Sequence, residues 1–417
     1  MTSNQSIIDR ASQVLMNTYA RFPITLVRGE GSWVWDIEDK KYLDLVAGIA
    51  VNALGHNHSR LLKVLREQAS ELIHVSNLYY NLPQVKLAEA LTRLSFADQA
   101  FFCNSGAEAN EAAVKLTRKF FKKNGEPERY QVICMQNSFH GRTLAMLSAT
   151  GQSKVQKGFE PLVEGFSHVP FGDLAALEKA IQPQTAAILL EPVQGEGGVV
   201  FASEDYLRGV RKLCDEKNIL LIFDEVQSGM GRTGKLFAYE HSGVTPDIMT
   251  LAKALAGGLP IGALLATQKV AEAFQPGDHA ATFGGNPLVT RVALEVLDIL
   301  VGAEGNLPLL KYVQEVGDYF LKQLLGLKQK HASIVDVRGK GLMLAMELQQ
   351  SGKEVVQKGM AEGLLLNCTQ DKILRFVPPL IISRAEIDFA IHVLDKILSS
   401  EFSPPLQGGD QGEVEAS

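Results

Sequence analysis

The chain has 417 residues, of which 46% are hydrophobic and 21% are charged, and its net charge is −6. This length fits one large domain or a large domain with a smaller one. The acidic balance argues against a nucleic-acid partner, which requires a basic face, and no apolar run is long and uncharged enough to span a bilayer.

The N-terminus and the cysteines bear on the compartment. The first residues lack a basic segment followed by an apolar one, so no signal peptide is predicted. The cysteines are scattered, without the spacing of a metal site or a disulfide framework, which predicts free thiols in the cytoplasm. They are Cys103, Cys134, Cys214 and Cys368.

The N-terminal part of the chain carries two periodic segments. Residues 24–45 alternate between apolar and polar side chains and turn at Gly29–Gly31 and near Asp39, which predicts a small β meander. Residues 58–75 place apolar side chains at helical spacing. We assign residues 1–75 to part of a small domain.

Residues 99–270 alternate short apolar runs with helical stretches, a pattern typical of buried parallel strands with helical crossovers. The run at 261–267 follows its predecessor after a short Gly-Pro turn, which leaves no room for a helix, so it is predicted to be antiparallel. We assign residues 76–305 to a large domain. The other predicted strands are 100–104, 131–136, 186–193, 219–226 and 248–252.

The C-terminal part predicts a smaller α+β unit over residues 306–400. A long amphipathic helix is followed by a strand near 342–348, a helix, a strand at 373–377 and a last helix capped by Ser383 and Glu386. We expect the N-terminal meander to pack with this unit. Residues 401–417 are rich in Pro, Gly and acid, which predicts a disordered tail.

Polar residues follow the apolar runs, where ligands bind in parallel α/β sheets. Ser105 and Glu108 form a predicted capping box after the first run, and the small residues Gly106 and Ala107 leave the first helical N–H groups open to an anion such as phosphate. Phe139 follows the second run and could pack on a planar ligand.

Charged residues also follow the predicted strands. Arg142 could present a fork to a carboxylate. Glu191 ends an apolar run, and Glu196 lies in a glycine-rich loop. Asp224 directly follows five apolar residues, so it is expected to pair with a cation or a protonated ligand nitrogen. Lys253 is the one charged side chain between residues 248 and 268.

An anion site, an aromatic ring, a buried aspartate and an isolated lysine at separate strand ends match one cofactor. Pyridoxal 5'-phosphate needs a lysine that bonds covalently to it, a carboxylate for its ring nitrogen and a cup for its phosphate. The joint placement predicts this cofactor, although each feature alone is more often structural.

The chain resembles the class III aminotransferases, which have the fold-type I architecture and depend on pyridoxal phosphate. The resemblance covers nearly the whole chain and rests on "NSGAEANEAA", "FHGRT", "EPVQGEGG", "DEVQSGMGRTG" and "LAKALAGGLPIGA". It implies a large domain with a mostly parallel seven-stranded sheet between helices, and a smaller α+β domain formed from both termini. It also implies a homodimer.

The resemblance also implies roles for individual residues. Lys253 carries the cofactor, Asp224 holds its ring nitrogen, and Gln227 reaches its ring hydroxyl. Arg142 binds the α-carboxylate of the substrate. Arg375 pairs either with Glu196 or with the second carboxylate of a dicarboxylate substrate. The remaining implied contacts are Gly106 and Ala107 to the phosphate, Phe139 to the ring face, Glu225 and Val226 beside the cofactor, Ala281 to substrate, and Thr282 to the phosphate of the neighbouring subunit.

One position bears on the substrate. Ornithine aminotransferases place a tyrosine where this chain has Gly48, and a missing ring leaves room for an acyl group on the α-nitrogen of the donor. This favours N2-acetyl-L-ornithine as the donor and 2-oxoglutarate as the acceptor. Ornithine, succinyl-diaminopimelate and 4-aminobutyrate stay open as alternative donors.

Two other kinds of function compete with this interpretation. Residues 229–234 fit GxGxxG and would suit a nicotinamide-dependent oxidoreductase, but Gly243 and Pro246 come too soon for a full crossover helix. A non-catalytic binding protein would have no need of both Lys253 and Asp224.

His56 and His58 raise the question of a metal site. With no third ligand nearby in the sequence, they are interpreted as loop or cap residues. We therefore predict no metal site.

Overall fold

The structure is a computed structural model that describes residues 3–302 and 308–401. Its N-terminal part holds the predicted meander, because β1 pairs with β2 and β2 with β3, both antiparallel. The elements of this part are α1 Asn4–Val14, β1 Leu26–Glu30, β2 Trp33–Asp36, β3 Lys41–Asp44, the irregular turn α2 Ala47–Ala50, α3 Ser59–Glu71 and α4 Leu82–Leu94.

The central part alternates strands and helices as predicted. Its strands are β4 Gln99–Cys103, β5 Gln131–Met135, β6 Phe166–Val169, β7 Thr185–Leu190, β8 Val193–Gln194, β9 Val200–Phe201, β10 Leu220–Asp224, β11 Ile248–Leu251 and β12 Gly262–Ala266. Its helices are α5 Gly106–Lys123, α6 Leu144–Ala149, α7 Ser153–Gln156, α8 Leu174–Ala180, α9 Glu204–Lys217, α10 Gln268–Ala271 and α11 Pro287–Val301.

Seven of these strands form one sheet in the order β4-β12-β11-β10-β7-β5-β6. The strand β12 runs antiparallel to both β11 and β4, as expected for a strand that follows a short turn. The pairs that join β11, β10, β7, β5 and β6 are all parallel. The prediction of a mostly parallel seven-stranded sheet is confirmed.

The edge strand β6 was not among the apolar runs picked out from the sequence. Of its four residues only Val169 is buried, and the polar residues Ser167 and His168 interrupt its apolar character. An edge strand is covered less than a central one, so its sequence lacks the continuous apolar run of β7 or β10.

The C-terminal part forms a second unit with the sheet order β13-β14-β17-β16. The strand β15 pairs in parallel with β3, which joins the N-terminal meander to this unit, as expected. The elements are α12 Leu309–Lys330, β13 Ile334–Lys340, β14 Met343–Leu348, α13 Lys353–Ala361, β15 Leu364–Leu365, β16 Asn367–Thr369, β17 Ile373–Phe376 and α14 Arg384–Glu401.

The capping box of α14 is present, because Ser383 and Glu386 exchange hydrogen bonds between side chain and backbone N–H. The helix α3 packs on α11 of the central part, and the limits of the two domains stay predictions. The predicted tail lies outside the described residues from 402 onward. No helix within residues 3–302 and 308–401 is long and apolar enough to cross a membrane.

Candidate active site

A cavity of about 460 Å³ opens at the carboxyl ends of the parallel strands. The loops that follow β4, β5, β8, β10 and β11 form its walls. The structure therefore brings most of the predicted site together in one place. The predicted residues that line the cavity are Gly106, Ala107, Phe139, Arg142, Glu196, Asp224, Val226, Gln227 and Lys253.

The N-terminus of α5 forms one end of the cavity. The Ser105 hydroxyl accepts a hydrogen bond from the backbone N–H of Glu108 at 3.2 Å, but the Glu108 carboxylate returns to the N–H of Asn104 at 2.6 Å rather than to that of Ser105. A Cβ added to Gly106 would lie 2.7 Å from a methyl carbon of Val226, so this position has no room for a larger residue. The first N–H groups of the helix are thus available to an anion.

The buried carboxylate of Asp224 is held by neutral donors and a histidine. Its Oδ2 accepts from the Asn110 side-chain amide at 2.7 Å and from Nδ1 of His140 at 2.8 Å. Its Oδ1 accepts from the backbone N–H of Val226 at 3.0 Å. Thr250 donates in turn to Asn110 at 2.7 Å, so the amide is oriented as well. This network fixes the carboxylate at the end of β10.

Sequence reasoning missed both partners of Asp224. His140 lies inside the motif "FHGRT", and Asn110 is a polar residue among alanines on the buried face of α5. A buried asparagine in an alanine-rich helix was the available signal, because such a side chain needs a hydrogen-bond partner. Nε2 of His140 is buried without a partner among the described residues.

Glu191 shares the cavity with Asp224. The residue is 5% exposed, and its carboxylate accepts from the backbone N–H of Phe139 at 3.1 Å. Burial and the neighbouring Asp224 carboxylate raise the pKa of Glu191 well above its ordinary value. The structure pairs Glu191 with backbone amides rather than with a cationic side chain.

Lys253 lies directly after β11, in a 3-10 turn that spans Lys253–Ala256, and has a φ of +44°. Positive φ is uncommon for a residue other than glycine and is found at functional sites. Among the described residues, none forms a hydrogen bond or ion pair with Nζ of Lys253. Burial lowers the pKa of Lys253, and the attraction of Glu196 opposes this shift. A lysine with a lowered pKa is a nucleophile toward carbonyl carbon.

Phe139 and Arg142 lie together on the rim of the cavity. The Arg142 guanidinium carbon is 5.6 Å from the centroid of the Phe139 ring. Arg142 is exposed, whereas Phe139 is half-buried. An exposed arginine at the mouth of a cavity is available to a carboxylate that enters from solvent.

Arg375 contacts the cavity through two of its lining residues. It is 1% exposed, and its Nη1 donates to Oε1 of Glu196 at 2.5 Å and to Oε1 of Gln227 at 3.2 Å. Burial acts to raise the pKa of Glu196, but the charges of Arg375 and Lys253 together with the hydrogen bonds from Arg375 and Gln227 lower that pKa overall. The alternative that pairs Arg375 with Glu196 therefore matches this structure.

Besides Arg375, three predicted residues do not line the cavity. The Glu225 carboxylate accepts from the backbone N–H groups of Ala238 at 2.6 Å and Tyr239 at 2.7 Å, so its side chain caps a turn instead of facing a ligand. The side chain of Glu225 therefore points away from the cavity, and its place beside the cofactor stays a prediction. Ala281 and the exposed Thr282 line no part of this protomer's cavity.

The sequence profile described as aminotransferase class-III matches residues 14–398. The chain belongs to the class III aminotransferase family. Two relatives in this family are acetylornithine aminotransferases. The one from Methanocaldococcus jannaschii is 51% identical over 400 residues, which cover 95% of this chain and 99% of that protein. The one from Thermosynechococcus vestitus is 52% identical over 402 residues, which cover 94% and 96%.

Solved structures of class III aminotransferases share the fold. The ornithine aminotransferase from Toxoplasma gondii matches with a TM-score of 0.91 at 33% identity, over 96% of each chain. The acetylornithine aminotransferase from Elizabethkingia anophelis matches with a TM-score of 0.85 at 34% identity, over 96% of this chain and 100% of that one. The prediction of the fold-type I architecture is confirmed.

The cofactor of this family is pyridoxal phosphate, and a Toxoplasma gondii ornithine aminotransferase structure contains it at partial occupancy in the active site. The donor set of the present cavity fits that group. It offers an unpaired lysine Nζ, a buried Asp224 carboxylate, and a helix start that Gly106 keeps open. The prediction of this cofactor is confirmed.

The nicotinamide alternative lacks its structural context. Residues 229–234 form turns, and the next helical element is the short 3-10 turn Ala238–His241 rather than a crossover helix. His56 contacts Asp44 at 3.0 Å, and His58 lies at the N-cap of α3. The described part of the chain contains no group of three or more side chains arranged to hold a metal ion.

Proposed function

We propose that this class III aminotransferase transfers the δ-amino group of N2-acetyl-L-ornithine to 2-oxoglutarate. The products are N-acetyl-L-glutamate 5-semialdehyde and L-glutamate, in a step of arginine biosynthesis. The observation that carries the proposal is the identity of 51% to an acetylornithine aminotransferase over 95% of the chain, together with the cavity built around Lys253.

We assign the cofactor contacts to the residues that line the cavity. The N–H groups of Gly106 and Ala107 would hold the phosphate, Phe139 would pack on the ring, and Asp224 would keep the ring nitrogen protonated. When bound, pyridoxal phosphate supplies an electron sink for negative charge at the substrate carbon. Lys253 carries the cofactor between turnovers, and Gln227 lies within the same cavity.

Lys253 has a second role in the transfer of the proton. Its Nζ accepts a proton from the donor carbon and returns one to the other reacting carbon, which requires the neutral amine. Burial lowers the pKa of Lys253, so a larger fraction of the amine is neutral at a given pH than for an exposed lysine.

Two arginines accommodate two unlike substrates. Arg142 on the rim would bind a carboxylate of either substrate, whereas Arg375 would bind the second carboxylate of 2-oxoglutarate only. Glu196 masks Arg375 while the acetylated donor is bound, because an uncompensated buried charge is costly. Their contact at 2.5 Å supports this proposal.

Gly48 supports an acylated donor. It lies in the turn α2 with a φ of +65° and lines a second cavity of about 510 Å³. The two cavities adjoin, since Asn52 of the second cavity faces Gly258 of the first. A side chain at position 48 would occupy space beside this junction, and its absence leaves room for an acyl group.

The donor is tested by comparing kcat/KM for acetylornithine, ornithine, succinyl-diaminopimelate and 4-aminobutyrate at saturating 2-oxoglutarate. We expect acetylornithine to exceed ornithine by at least tenfold, roughly the discrimination that one small group confers. A higher value for ornithine or 4-aminobutyrate would contradict the proposed donor. Gly48→Tyr should reduce the preference for the acetylated donor.

We further propose that the active unit is a homodimer. Apolar side chains are exposed together in the segment after α3, and Asn77 ties this segment to the Thr282 loop through the carbonyls of Ala281 at 3.1 Å and Gly284 at 2.9 Å. A continuous exposed apolar surface marks an interface. The exposed residues are Leu78 at 83%, Tyr79 at 69%, Tyr80 at 98%, Leu82 at 64% and Phe283 at 62%.

Sedimentation at working dilution tests the homodimer. The wild type should sediment as a dimer or larger assembly, and Tyr80→Glu should dissociate it and lower the activity. A fully active monomer would contradict the assignment of Thr282 to the partner's phosphate. We place the enzyme in the cytoplasm, in keeping with four free cysteines.

A further inference from the structure

Arg375 is surrounded by one charged and two neutral acceptors. Its Nη1 meets the Glu196 carboxylate and the Gln227 amide oxygen, and its Nη2 donates to Oδ1 of Asn367 at 2.7 Å. Nε of Arg375 is buried without a partner among the described residues. The role proposed for Glu196 explains its own contact with Arg375 but not the contacts that Gln227 and Asn367 make with the same guanidinium.

Asn367 is placed by the sheet. The strands β16 and β17 pair antiparallel with Asn367 directly opposite Arg375. Side chains of directly opposed residues lie on the same face of a sheet, close enough to bond. The pairing of β16 with β17 therefore holds the amide oxygen of Asn367 against Nη2 of Arg375, whatever the position of Glu196.

The backbone around Glu196 is also anchored to the C-terminal unit. Gln370 donates to the carbonyl oxygen of Glu196 at 3.0 Å, and Arg338 donates to that of Gly198 at 2.7 Å and that of Val199 at 3.2 Å. The Glu196 side chain itself is 29% exposed. The carboxylate can therefore turn away from Arg375 by side-chain rotation while the loop backbone stays in place.

We propose that Asn367 is a positioning residue for Arg375, which keeps the guanidinium oriented toward the cavity when the Glu196 carboxylate turns away. Departure of Glu196 then changes the charge available to the substrate but not the position of the guanidinium. A neutral partner is required for this purpose, because a carboxylate at position 367 would mask Arg375 permanently. The proposal rests on the proposed function, in which Arg375 binds the second carboxylate of 2-oxoglutarate.

The isosteric substitution Asn367→Asp tests this requirement. The dissociation constants of glutarate and pentanoate for the cofactor-loaded enzyme are measured by calorimetry. These ligands have the same length, but only glutarate has a second carboxylate. In Asn367→Asp the new carboxylate should mask Arg375 and weaken its bond to the second carboxylate of glutarate. The preference for glutarate over pentanoate should therefore fall roughly tenfold to a hundredfold, the range for losing a hydrogen bond to a charged group. Pentanoate binding should be unchanged.

Two further variants separate position from charge. Asn367→Ala removes the acceptor without adding charge, and we expect a smaller loss of glutarate preference, roughly threefold to tenfold. Asn124→Asp adds the same charge at the exposed end of α5 and should bind both ligands as the wild type does. Wild-type glutarate preference in Asn367→Asp, or an equal loss for both ligands, would overturn the proposal.

The measurement is independent of the identity of the amino donor. If the wild type failed to transaminate acetylornithine but preferred glutarate, the proposed donor would be wrong and the comparison at Asn367 would still decide the present proposal. If the wild type showed no preference for glutarate, the role of Arg375 and that of Asn367 would fail together.

Discussion

Two charged groups on opposite sides of the cavity are held in different ways. Asp224, in the large domain, is held by Asn110, His140 and a backbone N–H, and no lysine or arginine among the described residues forms an ion pair with it. Arg375, in the C-terminal unit, is paired with the opposite charge of Glu196. In the proposed function, the first group is ready to act in every half-reaction, whereas the second would act only after its partner leaves. Substitutions on each side of the cavity test this difference.

The largest effect is expected at Lys253, because its proposed role is the same in both half-reactions. Lys253→Ala removes the amine that carries the cofactor and moves the proton, so turnover should fall by at least ~10⁴-fold in both half-reactions. Borohydride reduction of the cofactor-loaded wild type, followed by peptide mass spectrometry, should locate the cofactor on Lys253. Modification of another lysine would contradict the assignment.

The fixed charge is tested by Asp224→Asn. Loss of the carboxylate should slow both half-reactions by a similar factor of about a hundredfold to a thousandfold, the range for removing one preorganised electrostatic contact. Stopped-flow absorbance measures each half-reaction. Asp247→Asn is the matched control, because Asp247 pairs with Arg211 at 2.9 Å just before β11, outside the cavity-lining residues. Retention of most activity in Asp224→Asn would contradict the role.

The residues that hold Asp224 in place should have a smaller effect than Asp224 itself. Asn110→Leu removes one donor to Asp224, and both half-reactions should slow by about tenfold. Thr250→Val removes only the hydrogen bond that orients Asn110, so its effect should stay within about threefold. If Thr250→Val were as damaging as Asn110→Leu, the losses would reflect packing rather than the contact with Asp224.

The sequence was sufficient for six of the seven strands of the large sheet and for most residues of the cavity. Central strands are apolar on both faces, and a polar residue at the end of such a strand, such as Asp224, stands out. The edge strand β6 and the partners Asn110 and His140 were missed because their positions depend on tertiary packing. Asn367 was missed for the same reason, since only strand pairing places it opposite Arg375.

Glu225 shows what a sequence motif leaves open. It lies within the motif "DEVQSGMGRTG" beside Asp224, and the resemblance carried the whole segment to the cofactor. Successive residues point in different directions, and the structure directs Glu225 to the N–H groups of Ala238 and Tyr239. A motif thus identifies a segment, while backbone direction decides which of its side chains reach the ligand.

The most direct test of the difference between the two charges is the pair of half-reaction rates in Glu196→Gln. This substitution keeps the size of the side chain but leaves Arg375 unmasked throughout. The half-reaction with acetylornithine, in which the donor gives up its amino group, should slow by roughly tenfold, since the donor has no second carboxylate for Arg375. The half-reaction with 2-oxoglutarate should be unchanged or faster. Equal losses in both half-reactions would contradict the account.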